Sequence, residues 1–366
     1  MSALQDRRAL RVLLVILLCG VLLTGFGCPP PGVAAQPQGW AGPTIADGIL
    51  YAVSREGVLV ALRIDGRVKL WQFPPENENR MIVHGTPIVS DGRLFVGAYS
   101  GIVYALDAQT GDKEWYFTTG GPIIGSPAIS GNTLIVGSSD GKLYALDARN
   151  GDPLWHKPFA SGGPIWSTPV ISGTMVFFGN LDHELYAVDL GTGLRRWYER
   201  LDGAVASTPL IVGRSLYIGA FDSMFYSFDA ITGDPEWEFI PFKAGNWFWT
   251  RPLYHEGTIF VGSLDHHIYA LDARTGLQDW AKQTGGKIRS APVIVDGVLI
   301  VASNDGKVYG LDPRTGNEKW APIDLEAPIL AHPWVEGNIV YLIDRQNTLH
   351  AIEAGTGSIV WHITIE

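Results

Sequence analysis

Beyond Trp40 the chain is a succession of short apolar runs, each broken by a polar, glycine-bearing turn. One unit shows the pattern. A run opening at Thr86, Pro87, Ile88 and Val89 turns at Asp91-Gly92, and a second from Arg93 to Gly97 turns near Ser100-Gly101. A third covers Ile102 to Leu106, and a fourth is centred on Trp115. Runs of about five or six residues between such turns are β-strands joined as hairpins. The unit then recurs. Residues 104–115 are matched closely by 144–155, 186–197, 226–237, 269–280 and 309–320, and more loosely by 60–71 and 350–361. Each copy ends on a tryptophan: Trp71, Trp115, Trp155, Trp197, Trp237, Trp280, Trp320 and Trp361, spaced by 44, 40, 42, 40, 43, 40 and 41 residues. That period predicts an all-β array of eight four-stranded antiparallel blades, a β-propeller over residues 40–366.

A second column suggests what the tryptophans do. The residue one position before the Leu-Asp pair is small in every copy: Ala61, Ala105, Ala145, Ala187, Ser227, Ala270, Gly310 and Ala351. An indole needs a surface of low relief, and a small side chain supplies it. Burying a tryptophan removes about 150–250 Å², which at about 25 cal/mol/Å² is an upper bound of roughly 4–6 kcal/mol. Eight such contacts are expected to fasten blade to blade.

Ala105, Asp107, Thr110, Gly111 and Trp115 together resemble the Ala-x-Asp-x-x-Thr-Gly-x-x-x-Trp docking motif of pyrroloquinoline-quinone-type propeller repeats. The resemblance runs from about Trp40 to Glu366. The end copies depart from it: Arg63 replaces the aspartate in the first, where Ile64-Asp65-Gly66 makes a different turn, and Glu353 replaces it in the last. Residues 40–48 supply an innermost strand for the first blade and 361–366 an outermost one for the last. Closure with one repeat per blade follows.

Each innermost strand is introduced by a proline: Pro43, Pro87, Pro127, Pro169, Pro209, Pro252, Pro292 and Pro333. Two positions earlier every residue is small, as expected where eight chains converge on one axis. Three positions before the prolines stand Trp40, His84, Ile124, Trp166, Ala206, Trp249, Arg289 and Leu330, and Trp247 and Phe248 join them from the connection between the fifth and sixth blades. Two readings stand. Trp40, His84, Trp166, Trp247, Phe248, Trp249 and Arg289 form an aromatic, partly cationic mouth that grips a protein segment or a ring-shaped ligand. Alternatively, these side chains plug the channel.

Charge narrows the partners. A net charge of −10, with no Lys/Arg run beyond the N-terminus, argues against nucleic acid. The leader carries Arg7, Arg8 and Arg11, then an uncharged apolar run from Val12 to Phe26. Residues 1–28 read as a signal peptide, and Gly27-Cys28 resembles the end of a bacterial lipoprotein signal, which makes Cys28 the lipidation site. An uncleaved signal anchor is the alternative. Residues 29–39 are a Pro-rich tether. Both readings place a monomeric propeller outside the cytoplasm on a membrane, in the periplasm or at the cell surface.

Chemistry is sparse. Gly137, Ser139 and Gly141 fit Gly-x-Ser-x-Gly, but that nucleophile motif needs a strand-to-helix elbow, and Asp140-Gly141 is a strand-to-strand turn. His266 and His267 are strand neighbours pointing to opposite faces. No metal-ligand spacing is found. Asp107, Asp147, Asp189, Asp229, Asp272 and Asp312 recur once per blade and are expected to cap backbone N–H groups. Cys19 and Cys28, both in the leader, are the only cysteines. Quinoprotein dehydrogenases with this repeat are longer and commonly carry an adjacent cysteine pair near the quinone. Neither that pair nor a calcium-binding set can be assigned here, so pyrroloquinoline quinone with calcium is the lesser alternative and no cofactor is expected. The compact array with a lipoprotein-like leader looks like the BamB family of outer-membrane assembly scaffolds. That resemblance implies a non-catalytic, membrane-anchored protein that binds a protein partner through loops on one face. An extracytoplasmic sensory or ligand-binding propeller is a further alternative.

Overall fold

The computed structural model of the protein describes residues 39–365 except Asn77 and 238–240, so the leader, Cys28 and the tether up to residue 38 lie outside the described residues. The described residues fold into eight four-stranded sheets, each a run of four consecutive antiparallel strands. The second blade is Ile88–Ser90, Arg93–Gly97, Ile102–Asp107 and Lys113–Thr118, from the axis outwards. The first blade takes all its strands from Thr44–Ala46 to Val68–Phe73, and the eighth from Trp334–Glu336 to Ile359–Thr364. Closure is therefore one repeat per blade, and the innermost strands of the first and eighth blades touch.

Each blade proline stands one residue before its innermost strand. Proline cannot donate to a ladder, so it marks the entry rather than a paired position. The same chemistry shortens two outer edges. In the third and fifth blades Asp152-Pro153 and Asp234-Pro235 precede the tryptophan. There the outermost strand is only Phe159–Ala160 or Phe242–Lys243, with single bridges at Leu146↔Pro153 and Phe228↔Pro235. The fourth strand is thus centred on its tryptophan in six blades and displaced beyond it in two.

The tryptophans lie where the small column predicts. Ala105 pairs with Trp115, Ala187 with Trp197, Ala270 with Trp280 and Gly310 with Trp320, and the ladder shifts register at each site. A Cβ added at Gly310 would sit 2.0 Å from the Trp320 ring, so the indole covers that strand directly. Each indole also reaches the next blade. The Trp115 Nε1–H donates to the Ala148 carbonyl at 3.1 Å and that of Trp155 to Leu190 at 2.9 Å. The Trp155 ring lies on Gly193, whose φ of +71° and 2.7 Å approach exclude a side chain. Apolar clusters fill the space between sheets: Phe95, Val103 and Trp115 of the second blade pack against Leu134, Val136 and Leu146 of the third. The recurrent aspartates act as turn caps. Asp107 Oδ1 accepts the N–H groups of Gln109 and Thr110 at 2.9 and 2.8 Å, and Asp229 Oδ1 those of Ile231 and Thr232 at 2.8 and 3.0 Å.

Candidate functional site at the channel mouth

The connection entering each blade runs extended towards the axis, so alternate residues face opposite ways. In seven of the eight blades the residue four positions before the proline is apolar and fully buried, as at Ile123, Ile165, Val205, Ile288 and Ile329. This column wedges between blades: Cβ atoms added at Gly97 and Gly137 would meet the side chains of Ile123 and Ile165 at 2.4 and 2.5 Å. Residues three and five positions before the proline face the other way. Trp166 and Trp249 enter the fourth and sixth blades, which are not neighbours, yet their rings are 6.4 Å apart. Only side chains converging on the axis can meet in that way.

The structure separates the seven expected mouth residues. Trp166, Trp247 and Trp249 form one aromatic group with Phe221, which stacks on Trp247 at 4.6 Å and 9° and on Trp249 at 5.3 Å and 22°. The indole of Trp166 is also held, its Nε1–H donating to Ser139 Oγ at 3.2 Å. These three tryptophans are half-buried, with part of each ring left to solvent. A second group pairs Trp40 with His84 at 3.9 Å, and Tyr99 meets the same imidazole edge-on at 5.5 Å. Phe248 corrects the expectation. It is fully buried beside Phe225 at 5.4 Å and belongs to the wedge column, because a residue between two channel-facing tryptophans must point the opposite way.

His84 adds no positive charge to the mouth. It is 6% exposed, and burial lowers its pKa to about 4, so the ring is neutral at pH 7. The cations are elsewhere. Arg289 is buried, and Lys287, two residues earlier, has its pKa lowered by desolvation and then by Arg289. Arg251 stands one position before Pro252. It is exposed to solvent yet so closely ringed by protein that desolvation lowers its pKa, and the two facts together put it on the channel wall. His332 holds the corresponding place before Pro333; burial, then Arg251, lowers its pKa to about 4.

Phe221, Tyr99, Lys287, Arg251 and His332 are absent from the set read from sequence. Parity could have found three of them, since positions one and five before the proline share a face with position three. Phe221 and Tyr99 come from the turns between second and third strands, and no periodicity in the chain links those turns to the axis. The aspartates of this face are engaged locally: Tyr144 and Tyr309 donate to Asp140 and Asp305 at 2.5 and 2.6 Å. Asp140 and Asp305 also accept the N–H groups of Gly120 and Gly285. Ser139 lies in the Asp140-Gly141 turn between two strands, with no elbow.

A family model described as "Outer membrane protein assembly factor BamB" matches residues 32–239 and 242–366. The chain belongs to this family. Two curated relatives match shorter stretches at 32% identity. One is a 1-butanol dehydrogenase (cytochrome c) of Thauera butanivorans, over 82 residues, and the other is the outer membrane protein assembly factor BamB of Xanthomonas campestris pv. campestris, over 79. Each match covers 20% of this chain, but only 12% of the dehydrogenase and 20% of the Xanthomonas protein. The crystal structure of BamB from Moraxella catarrhalis superposes with a TM-score of 0.70 at 22% identity, covering 83% of this chain and 91% of that one, which is a likeness of fold. The quinone cofactor of the wider repeat family can be tested against the residues present. Among the described residues no group of three or more His, Cys, Asp or Glu could hold a metal ion. The positions one, three and five before the blade prolines carry no carboxylate. A calcium ion takes several oxygen ligands, carboxylates prominent among them, and these columns offer no carboxylate.

Proposed function

We propose that this protein is a non-catalytic, extracytoplasmic scaffold that holds a protein partner on the channel-mouth face and serves in outer-membrane protein assembly. The observation that carries the reading is the half-exposed grouping of Trp166, Trp247 and Trp249 around Phe221. Rigid aromatics that keep part of their surface wet are the side chains that anchor protein interfaces. Membership of the BamB family supplies the class of partner, and the leader with Cys28 supplies the membrane tether. The name of the Thauera relative, a 1-butanol dehydrogenase (cytochrome c), favours a second reading, a dehydrogenase, which the repeat's resemblance to quinoproteins would make quinone-dependent. Against it stands the absence of carboxylates from the channel-facing positions.

A photo-crosslinking residue at Trp247, with a second at Gln109 on the opposite face, tests the proposal in native membranes. A barrel-assembly subunit is expected to be captured from Trp247 and not from Gln109. Capture of no such subunit from either position overturns the reading. Soaking the purified protein with pyrroloquinoline quinone and calcium tests the dehydrogenase reading, and retained quinone absorption would favour it.

A further inference from the structure

One side of the mouth is aromatic; another is cationic. Lys287 and Arg289 occupy the positions five and three before Pro292, and Arg251 the position one before Pro252, so three cations descend the channel wall on adjoining blades. No Asp or Glu occupies any position of those three columns, although the chain carries a net charge of −10. The columns that face the channel are thus free of acid in a chain that is acidic as a whole.

The level of Arg251 offers hydrogen-bond donors. The Gly42 N–H donates to Thr86 Oγ1 at 3.1 Å and the Ser126 N–H to Thr168 Oγ1 at 3.0 Å, which leaves each hydroxyl hydrogen for another acceptor. In the same way the Ala291 N–H donates to Nδ1 of His332 at 2.8 Å. The hydrogen of this neutral ring is therefore on Nε2, again a donor. Among the described residues Arg251 has no carboxylate in ion-pair reach. A planar guanidinium fork with hydroxyl and imidazole donors at the same position in other blades matches a carboxylate, which accepts at both oxygens.

We infer that the mouth and channel receive an acidic polypeptide segment, with carboxylates on Arg251 and Lys287 and apolar side chains against Trp166, Trp247 and Trp249. The inference rests on the reading of this face as a protein-docking surface and specifies what docks. Charge complementarity selects the occupant: a basic or neutral segment would leave the Arg251 guanidinium, desolvated by the protein around it and with no carboxylate in ion-pair reach among the described residues, without a counter-charge.

The probe is a fluorescein-labelled peptide of alternating glutamate and leucine, titrated by anisotropy into the full chain in detergent. Binding is expected to weaken as salt rises. Arg251→Gln is expected to weaken it by about tenfold or more, because a charge-assisted bidentate pair is lost. Lys287→Gln should cost less, because an ammonium makes no bidentate pair with a carboxylate, and Gln109→Ala on the opposite face should change nothing. Equal affinity of the Arg251→Gln variant at an unchanged melting temperature overturns the inference. Should that variant fail to fold, the wild-type chain is offered the same peptide with glutamine for glutamate, and equal binding again overturns it. Competition by free glutarate at matched carboxylate concentration would reduce the site to one for small anions and overturn the polypeptide assignment. Absence of peptide binding, with a barrel-assembly subunit still captured from Trp247, removes the acidic segment but leaves the docking face. Peptide binding without that capture removes the assembly role alone.

Discussion

The ring contains two kinds of blade junction. At seven of them a tryptophan crosses to the next blade, and its Nε1–H donates to a turn carbonyl: Trp71, Trp115, Trp155, Trp197, Trp237, Trp280 and Trp320, at 2.9 to 3.1 Å. At the junction of the eighth blade with the first, Trp361 has no such acceptor among the described residues. The turn facing it, Ile64-Asp65-Gly66, brings no glycine against the indole; a Cβ at Gly66 would meet only Val68, at 3.5 Å. Trp361 instead packs beside Ile64 and Tyr341 in an apolar cluster drawn from both ends of the chain. Polar ties on the mouth face complete the junction. The Arg55 N–H donates to Asn347 Oδ1 at 2.7 Å, and Asn347 Nδ2 donates to Glu56 at 2.5 Å. Seven junctions are made by one repeated device, and the eighth by whatever the two ends happen to bring. Eight contacts were expected from the sequence, with the end copies departing from the motif, and Trp361 does pack across its junction but without the carbonyl acceptor. The reason is local: without the Thr-Gly turn no flat backbone surface is presented to the ring.

The comparison can be broken most directly at Trp155. Trp155→Ala is expected to destabilise by about 3–5 kcal/mol in a denaturant melt, since it empties a buried indole site and orphans a carbonyl. A change near zero would remove the docking argument. Next comes the receiving turn. Gly193→Ala places a Cβ 2.7 Å from the Trp155 ring at a φ of +71° and should cost about 1–3 kcal/mol, whereas Gly66→Ala at the seam should stay within about 0.5 kcal/mol. Equal costs would mean that the two junctions are alike after all. Trp361→Ala, which removes a half-buried ring with no hydrogen bond, is expected to cost about 1–2 kcal/mol. Hydrogen exchange under native conditions sharpens the same point, with the first and eighth blades opening at lower free energy than the fourth.

A further expected effect is that of acid on the two neutral histidines. His84 and His332 have pKa values lowered to about 4, against 6.5 for the free side chain. Between those values the unfolded chain binds protons that the folded chain refuses. Stability should therefore be whole above about pH 6.5 and decline as pH falls towards 4. His84→Gln should flatten part of that slope in melts across this window. An unchanged slope would show that His84 is not the group that titrates.

Much of this molecule was legible from a single chain because its information is periodic. A tryptophan every 40 to 44 residues, a small residue on the strand beside it and a proline before each innermost strand fix blade number, strand order and simple closure. These are short-range patterns repeated, and a repeated pattern reports itself. The mouth is the opposite case. The tryptophans could be named, but not that Trp166 would meet Trp249 across the axis, nor that Phe221 would reach them from a turn in another blade. Phe248 shows the boundary well, since strand parity alone would have turned it inwards between Trp247 and Trp249. His84 needed more, because its burial beside Trp40 and Tyr99 depends on contacts between blades, which are written nowhere in local spacing. The chain determined by itself how many blades there are and what fastens most of them. Only the closed ring decided which side chains share the pore, because convergence on an axis joins residues that no sequence interval relates.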